Sequence, residues 1–374
     1  MSLKATGLNP FRFAGIVTGE DFIDRESELR EFITSALSGI HLLLESPRRL
    51  GKSSLVAEAF RRIGSKAVCA HVDVYGATSE AAFASSLLAN LGEALPRLPA
   101  GEALSLVREH LPSLRPRVLM AERGKIAIDP VWPASADRAM EELLDFPEVV
   151  ASVAGKQLVL ALDEFQEVLQ WGGVALMKRM RARFQRHRHV TYVFSGSRRH
   201  LLRGMFLDEE AAFYRFAQRI ALGPIPQEAL AEYVRERFSK RPGGIGAEVL
   251  GALLERTGGH PYATQRLCAK LWGLGRRPRG REDVDLAVRL IAAEDSPLFE
   301  RLWEEVAGAS QRHLLRAVAQ EGRAQYGAEF IARYFLKSAA HVQKAVRSLE
   351  ERGFLEEGRI PDLYFSEWIR QRIR

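Results

Sequence analysis

Only two cysteines, Cys69 and Cys268, occur in the 374 residues, each in an apolar context. That scarcity excludes a disulfide framework and a cysteine-based zinc cluster, and it suits a reducing compartment. No apolar run approaches the roughly 18–20 residues that span a bilayer, so no membrane association is expected. The opening MSLKATGLNPFRFAG has no continuous apolar stretch of signal-peptide type, and a cytoplasmic location is the expectation. Internal repeats and low-complexity tracts are also missing. Neither G-x-S-x-G nor a Cys–His signature points to acyl chemistry. His187 and His189 lie two apart, which on a helix turns them to different faces and argues against a shared metal.

What is present is a hydrophobic fraction of 47% beside a charged fraction of 27%. That balance describes a globular chain with core enough for two or three domains. Lysine and arginine outnumber the acids 54 to 47, for a net charge of +7. Such an excess favours a polyanion partner (nucleotide, nucleic acid or acidic protein), and it also arises from arginines on solvated faces.

Four short apolar, β-rich runs precede position 200, at residues 40–44, 67–75, 157–162 and 190–194. A fifth, at 219–222, ends at Gly223-Pro224. Helix-patterned segments at 26–38, 53–63, 80–95 and 174–188 alternate with them, which predicts a mostly parallel sheet covered on both faces. The stretch RPRVLMAERGKIAI (residues 115–128) breaks this rhythm with two strand-like pieces about Arg123-Gly124, the pattern of an inserted hairpin. Beyond Pro224 the strand signals fade. Amphipathic helices are predicted at 226–238 and 247–257, followed by GGHPYATQRLCAKLW, where Gly258-Gly259 ends one helix and Pro261 suits the first turn of the next. The basic loop LGRRPRGRED (residues 274–283) closes this all-helical region. Three further helical patterns, at 311–320, 327–336 and 339–352, lead into GFLEEGRIPDLYFSEWIRQRI. That last piece reads as strand–turn–strand with an amphipathic tail, completing the outline of a winged helix. The expected architecture is therefore an α/β domain with a parallel sheet and inserted hairpin over residues 1–224, a helical lid over 225–295 and a winged helix over 296–374.

The stretch HLLLESPRRLGKSSLVAEAF (residues 41–60) carries the first chemical motif. Strand, loop and helix patterns follow one another, as in the phosphate-binding loop G-x-x-x-x-G-K-[ST], except that Ser46 occupies the first glycine position. Such a loop points backbone N–H groups at phosphate oxygens, with a helix N-terminus behind them. Gly51 allows close approach, Lys52 reaches the β- and γ-phosphates, and the Ser53 hydroxyl ligates magnesium. Glycine is obligatory only where φ is positive or a Cβ clashes. Ser46 precedes Pro47, which pushes it to extended backbone at negative φ, so serine is expected to be tolerated.

The second motif, QLVLALDEFQEVLQW, places Asp163 and Glu164 at the end of an apolar strand. An aspartate there can hold the magnesium, and the adjacent glutamate can polarise the attacking water. The next strand ends in Ser195-Gly196-Ser197-Arg198-Arg199. A small polar group there, Ser197 foremost, can hydrogen-bond the lytic water or the γ-phosphate, and the arginines can stabilise phosphate charge in cis or from a neighbouring subunit. The alternative is that these residues simply begin a polar loop.

At these residues the sequence resembles the archaeal-type P-loop ATPases, a bacterial and archaeal family of the AAA+/STAND branch, related more distantly to origin-recognition ATPases. NPFRFAGIVTGEDFIDRESELREF is similar to the family's opening segment, which implies that Phe22, Asp24 and Arg25 lie near the adenine. PRRLGKSSL matches its phosphate loop, implying nucleotide contacts from Ser46, Pro47, Arg48, Arg49, Leu50, Gly51, Lys52, Ser53 and Ser54. LDEFQE resembles its acidic strand end, FSGSRRHLL its sensor strand, and FYRFAQRIALGPI its entry to the lid. GGHPYATQRL resembles the lid motif whose proline, Pro261, packs near the base. The family implies a five-stranded P-loop NTPase core, a lid and a winged helix whose orientation follows the nucleotide state. Ser46 departs from its usual glycine.

Two basic stretches, LMKRMRARFQRHRH (residues 176–189) and the loop with Arg276, Arg277, Arg279 and Arg281, either contact nucleic-acid phosphates or form solvated faces. Lacking interleaved aromatics, neither suits a stacking platform. The third winged-helix segment carries His341, Lys344, Arg347 and Arg352 but also Glu350 and Glu351, a mixed charge for a major-groove helix. The expected function is a Mg-dependent ATPase that binds ATP and ADP, with Lys52, Asp163, Glu164 and Ser197 catalytic and Ser53 with Asp163 holding Mg. An unidentified protein partner is expected. Two other readings stay open: an ATP-gated scaffold switch with little turnover, and a winged-helix DNA-binding regulator or loader.

Overall fold

The computed structural model describes residues 8–95, 100–114, 117–120, 126–129, 131–133, 137–306 and 308–372. The chain folds as two units. One comprises Arg25–Arg48 and Lys52–Gly223; the other comprises the described residues up to Asp24, Arg49–Gly51 and those from Pro224 onward.

The first unit is built on five parallel strands and a separate hairpin. In chain order the strands are β1 (Leu42–Glu45), β2 (Val68–Asp73), β3 (Arg117–Met120), β4 (Ile126–Asp129), β5 (Leu158–Asp163), β6 (Val190–Gly196) and β7 (Gln218–Ala221). The main sheet has the order β2-β5-β6-β1-β7, and every neighbouring pair is parallel. Every residue of β1, β5 and β6 is buried, as expected for inner strands of a parallel sheet covered on both faces. β7, at one edge, buries only Ile220. β3 and β4 pair antiparallel, with Arg117 opposite Asp129 and Met120 opposite Ile126. Arg115, Arg123 and Gly124, which belong to the anticipated hairpin, lie outside the described residues.

The order puts β6 between β1 and β5, and the register fixes how their ends meet. Leu162 of β5 lies opposite Phe194, and Leu44 of β1 lies opposite Ser195. The ends of these three strands therefore form one edge, where the chain leaves for opposite sides of the sheet. Open α/β sheets bind ligands at such a point. β6 runs two residues past the 190–194 pattern because Ser195 and Gly196 still pair with Leu44 and Glu45. Behind this edge Phe165, Phe194, Phe206 and Phe213 pack together, with ring centroids 4.7 Å apart for Phe165–Phe194 and 5.3 Å for Phe165–Phe213. These rings anchor the turn that follows Asp163.

The helix after β1, Lys52–Ile63, buries Leu55, Val56, Ala59 and Ile63, an apolar stripe at helical spacing. Arg61 and Arg62 lie in its last turn and both pair with buried Glu58, at 2.6 and 2.8 Å. Their charge complements the helix dipole at that end and leaves the N-terminal end positive.

The second unit is helical and has one continuous core running from Phe11 to Ile369. Phe11 packs 5.0 Å from Phe238, and Asn9 donates to the Ala269 carbonyl, which ties the opening segment to helices Gln227–Ser239 and Pro261–Gly273. Gly258 and Gly259 both have positive φ. A Cβ on Gly259 would lie 2.6 Å from the Ile225 carbonyl oxygen, so the turn before Pro261 demands glycine.

Helices Ala309–Glu321, Ala328–Arg333 and Ala339–Glu351 follow. The anticipated strand–turn–strand is present in its shortest form. A single antiparallel bridge, Glu356–Arg359, precedes a helix, Leu363–Gln371. Asp362 caps that helix by accepting from the N–H groups of Tyr364 and Phe365 at 2.9 and 3.1 Å. Tyr364, Phe365, Trp368 and Ile369 are buried at helical spacing, so period and cap both make this piece the amphipathic tail that follows the turn. Tyr364 donates to the Ala263 carbonyl at 2.8 Å and the Trp368 indole donates to Ser296 at 2.8 Å. The last helix is thereby bonded to the helices around residues 263 and 296. Among the described residues, no helix is long and apolar enough to cross a membrane.

Candidate nucleotide site

The loop between β1 and Lys52–Ile63 answers the question raised by Ser46. Among its described residues, positive φ belongs to Arg49 (61°) and Gly51 (92°) and not to Ser46. The substituted position therefore makes no demand for glycine, whereas Gly51 does. Ser46 is buried, and its hydroxyl donates to the Pro47 carbonyl at 2.9 Å. The Lys52 ammonium reaches back over the loop to the Ser46 carbonyl (3.2 Å), the Ser46 hydroxyl (3.2 Å) and the Pro47 carbonyl (3.3 Å). Its charge thus lies against the Ser46–Pro47 end of the loop, at the N-terminus of a helix. Electrostatically this is an anion site.

Asp163, the last residue of β5, ties the strand ends together. Oδ1 accepts from the Ser195 hydroxyl at 2.6 Å and from the Glu164 backbone N–H at 3.0 Å. Oδ2 accepts from the Ser53 hydroxyl at 2.9 Å, with His71 Nε2 at 3.7 Å. Burial alone would raise this carboxyl's pKa, but the neighbouring His71 ring and the hydrogen bonds from Ser195 and Ser53 outweigh it and hold the group well below the usual carboxylate range. The residue stays ionised in a poorly hydrated place, as a cation ligand must.

Ser53 Oγ and Asp163 Oδ2 are hard oxygen donors. Their 2.9 Å separation matches adjacent corners of an octahedron with bonds of about 2.1 Å, the geometry magnesium demands. Among the described residues, no group of three or more His, Cys, Asp or Glu is placed to hold a metal ion. A cation at this corner would complete its shell with phosphate oxygens and water, the usual arrangement for magnesium at a nucleotide.

Glu164 sits at φ 52°, a left-handed conformation that costs a non-glycine residue roughly 1 kcal/mol or more. The turn swings its carboxylate toward the end of β6. Oε2 there accepts from the Ser197 N–H (3.0 Å), the Ser197 hydroxyl (2.9 Å) and the Gln166 amide (2.5 Å). Ser197 thus holds Glu164, while Ser195 is the serine that meets Asp163. Gln166 is fully buried and lies against Gly196, where a Cβ would come within 1.8 Å of its Oε1.

Glu45, also buried, faces three arginines: Arg199 at 3.3 Å, Arg203 at 2.5 Å and Arg219 at 2.7 Å. One buried carboxylate thus gathers three guanidinium groups at the base of the loop.

Lys52, Ser53, Asp163, Glu164 and Ser197, all singled out in the sequence, therefore come together on one strand edge. Ser46 and Pro47 flank the lysine, Arg48 is exposed, and Ser54 is buried in the first turn of the helix. Arg49, Leu50 and Gly51 group with the helical unit, as do Phe22, Asp24 and Pro261. Asp24 is exposed with φ 53°, Phe22 follows a short 3-10 turn, and Pro261 opens its helix behind His260. Arg25 is buried; it donates to the Gly223 carbonyl at 2.7 Å and to Glu28 at 3.0 Å, a clamp on the chain after β7. Ser195 stood in the quoted strand end without a role, and neither His71, Gln166 nor Glu45 carried any sequence signal.

Two arginines of each basic stretch are paired with acids. On helix Gly173–Phe184, Arg179 pairs with Asp137 at 2.9 Å, and Arg183 pairs with Glu141 and Asp145 at 2.6 and 2.7 Å. Arg276 is bound by Asp283, and Arg281 meets Glu255 at 2.5 Å. His187 and His189 lie beyond the end of that helix, on Tyr192 and Glu148 respectively.

Comparison with solved structures bears on the fold. A Walker-type ATPase of Pyrococcus abyssi matches with a TM-score of 0.68 at 16% identity, over 96% of this chain and 99% of that one. The fold is that of the P-loop ATPases. The ORC2 protein of Aeropyrum pernix, solved in ADPNP–ADP complexes, matches this P-loop fold with a TM-score of 0.52 at 14% identity, over 95% and 97% of the two chains. The ORC1 protein of the same organism, solved in complex with DNA, matches with 0.51 at 15% identity, over 94% of each chain. A family model described as a probable winged helix domain matches residues 297–371. A sequence search of curated proteins finds no match.

Proposed function

We propose that the protein is a magnesium-dependent ATPase of AAA+/STAND type. The observation that carries this is Asp163, held ionised between the Ser53 and Ser195 hydroxyls, beside Lys52 against the Ser46–Pro47 end of its loop. In this reading the backbone of residues 47–51 and Lys52 bind the phosphates. Ser53 and Asp163 hold the magnesium, which neutralises charge on the phosphate oxygens. Glu164 takes a proton from the attacking water, and Ser197 orients Glu164. The α/β region through residue 224, the lid at 225–295 and the winged helix at 296–374 act as three parts whose arrangement follows the nucleotide, which requires ATP to bind two arrangements with different affinity. The family's adenine contacts fall to Phe22, Asp24, Arg25 and Pro261.

Calorimetry with Mg·ATP and Mg·ADP tests the site. Binding is expected in the wild type and loss in Lys52→Ala; no binding to the folded wild type refutes the reading. Glu164→Gln should keep binding and lose hydrolysis. The three hydrogen bonds on Glu164 Oε2 favour one second reading, a nucleotide-gated switch with little turnover, in which the wild type binds but scarcely hydrolyses.

A further inference from the structure

The two oxygens of Asp163 have different surroundings. Oδ1 is used by the protein, taking both the Ser195 hydroxyl and the Glu164 N–H. Oδ2 is the side offered to a cation, and it has two neighbours: the Ser53 hydroxyl at 2.9 Å and His71 Nε2 at 3.7 Å. The imidazole is held there by the sheet. β2 pairs with β5 so that His71 lies opposite Ala161 and Asp73 opposite Asp163. His71 thus reaches Asp163 along the diagonal between adjacent strands, a distance long side chains cover. Its side chain is one-third exposed, so the ring edge is open to solvent.

The 3.7 Å separation exceeds the roughly 3.0 Å between adjacent corners of an octahedral shell by less than an ångström, a gap that a small rotation of the ring closes. Asp163 Oδ2 then has a hydroxyl on one side and an imidazole nitrogen on the other as neighbours. Magnesium is hard, gives up water reluctantly and is bound through oxygen, whereas imidazole is a ligand of first-row transition ions, iron, nickel, copper and zinc above all.

We propose that His71 is a nitrogen ligand to the nucleotide-bound divalent cation and biases the site toward first-row transition ions over magnesium. This rests on the nucleotide reading of the site. The ring supplies a ligand that Mn2+ or Co2+ accepts in exchange for a water and that Mg2+ leaves unused.

The test is spectroscopic and uses the full chain with ADP. Mn2+ is titrated by electron paramagnetic resonance, and Mg2+ is measured by displacing it. Wild-type protein grown with 15N-labelled histidine should show a 15N coupling to bound Mn2+ in spin-echo spectra, absent from His71→Ala. That variant should bind Mn2+ about tenfold or more weakly with ADP while Mg2+ affinity changes by less than about threefold. Bound Mn2+ without a 15N coupling overturns the proposal, as does an equal loss for both ions, which would make His71 a support for Asp163 alone. Failure of the wild type to bind ADP with either ion overturns the nucleotide reading as well, so the two failures are distinguishable.

Discussion

The Ser195 hydroxyl donates to Oδ1 of Asp163 at 2.6 Å, across neighbouring parallel strands. The bond exists because β6 continues past its apolar core for two residues in register with β1, carrying a polar side chain to the edge where β5 ends. It fixes the rotation of the carboxylate, so that Oδ2 faces Ser53. With the Glu164 N–H on the same oxygen, the protein saturates one side of Asp163 and leaves the other beside Ser53 and His71.

Ser195→Ala should therefore separate metal binding from nucleotide binding. A hydrogen bond to a charged group is worth about 1.5–3 kcal/mol, and a loss of that order is expected in denaturant unfolding. Calorimetry with ADP and magnesium should show affinity falling about tenfold, as for the loss of a supporting partner of a metal ligand. Without metal the affinity should not change. An equal drop with and without metal would place Ser195 against the nucleotide itself.

Gly196→Ala probes the other half of the edge. The new Cβ would fall 1.8 Å from Gln166 Oε1 and 3.0 Å from Leu202 Cδ1. Gln166 is fully buried, so it has no solvent to move into, and relief requires its amide to leave Glu164. Overpacking of this kind costs roughly 1–3 kcal/mol. Under the ATPase reading, ADP binding should persist while kcat falls by an order of magnitude or more, because Glu164 loses one of its three donors. Steady-state kinetics beside calorimetry checks this, and an unchanged kcat would detach Gln166 from the chemistry.

These two glycine and serine positions show where sequence patterns stop being informative. The strand runs, the hairpin and the phosphate loop were legible because each depends on local periodicity or turn chemistry. Ser46 was legible as tolerable, since Pro47 restricts its φ. The division of labour between Ser195 and Ser197 was not, because it depends on how far β6 stays paired with β1, a tertiary matter. His71 and Gln166 face the site only through cross-strand register and burial. The pairing of Arg179 and Arg183 was not legible, because their acidic partners, Asp137, Glu141 and Asp145, lie some forty residues away in sequence. The wing was legible in outline but not in extent, since only the Glu356–Arg359 bridge forms before the tail helix that Asp362 caps.

Gly259→Ala tests the helical unit independently of any ligand. Gly259 has φ 81°, and an added Cβ would meet the Ile225 carbonyl oxygen at 2.6 Å and Pro224 Cβ at 2.9 Å. The first is backbone, itself fixed by the Ile225 N–H donating to the Gly259 carbonyl at 2.9 Å, so neither atom can rotate away. Strain from the positive φ adds to the clash, and destabilisation of about 2–4 kcal/mol is expected. Gly258→Ala, whose Cβ meets nothing within 4 Å at φ 56°, should cost only the backbone term, about 1 kcal/mol. Thermal unfolding of both variants checks the difference, and equal shifts would mean that the turn yields.

His41 gives the fold a pH dependence whose sign is fixed. Burial first, then the positive charge of Arg181 and then His187, push its pKa from 6.5 down to about 4. Its Nδ1 accepts the Tyr192 N–H at 3.2 Å, and its ring packs 4.4 Å from Phe216, so the folded protein holds it neutral. Between pH 6.5 and 4 the unfolded chain binds a proton that the folded chain refuses. Stability is therefore full above about 6.5 and falls as the pH drops through that window. The loss approaches about 3 kcal/mol by the lower end, at 1.36 kcal/mol per pKa unit. The lowered Asp163 carboxyl adds its own loss only as the unfolded aspartate begins to protonate, at the acid end of the range. Urea unfolding at half-unit steps from pH 7.5 to 4.5 should show this slope. His41→Gln, which keeps an acceptor for the Tyr192 N–H but cannot titrate, should flatten it. If the slope survives in that variant, another buried group is responsible.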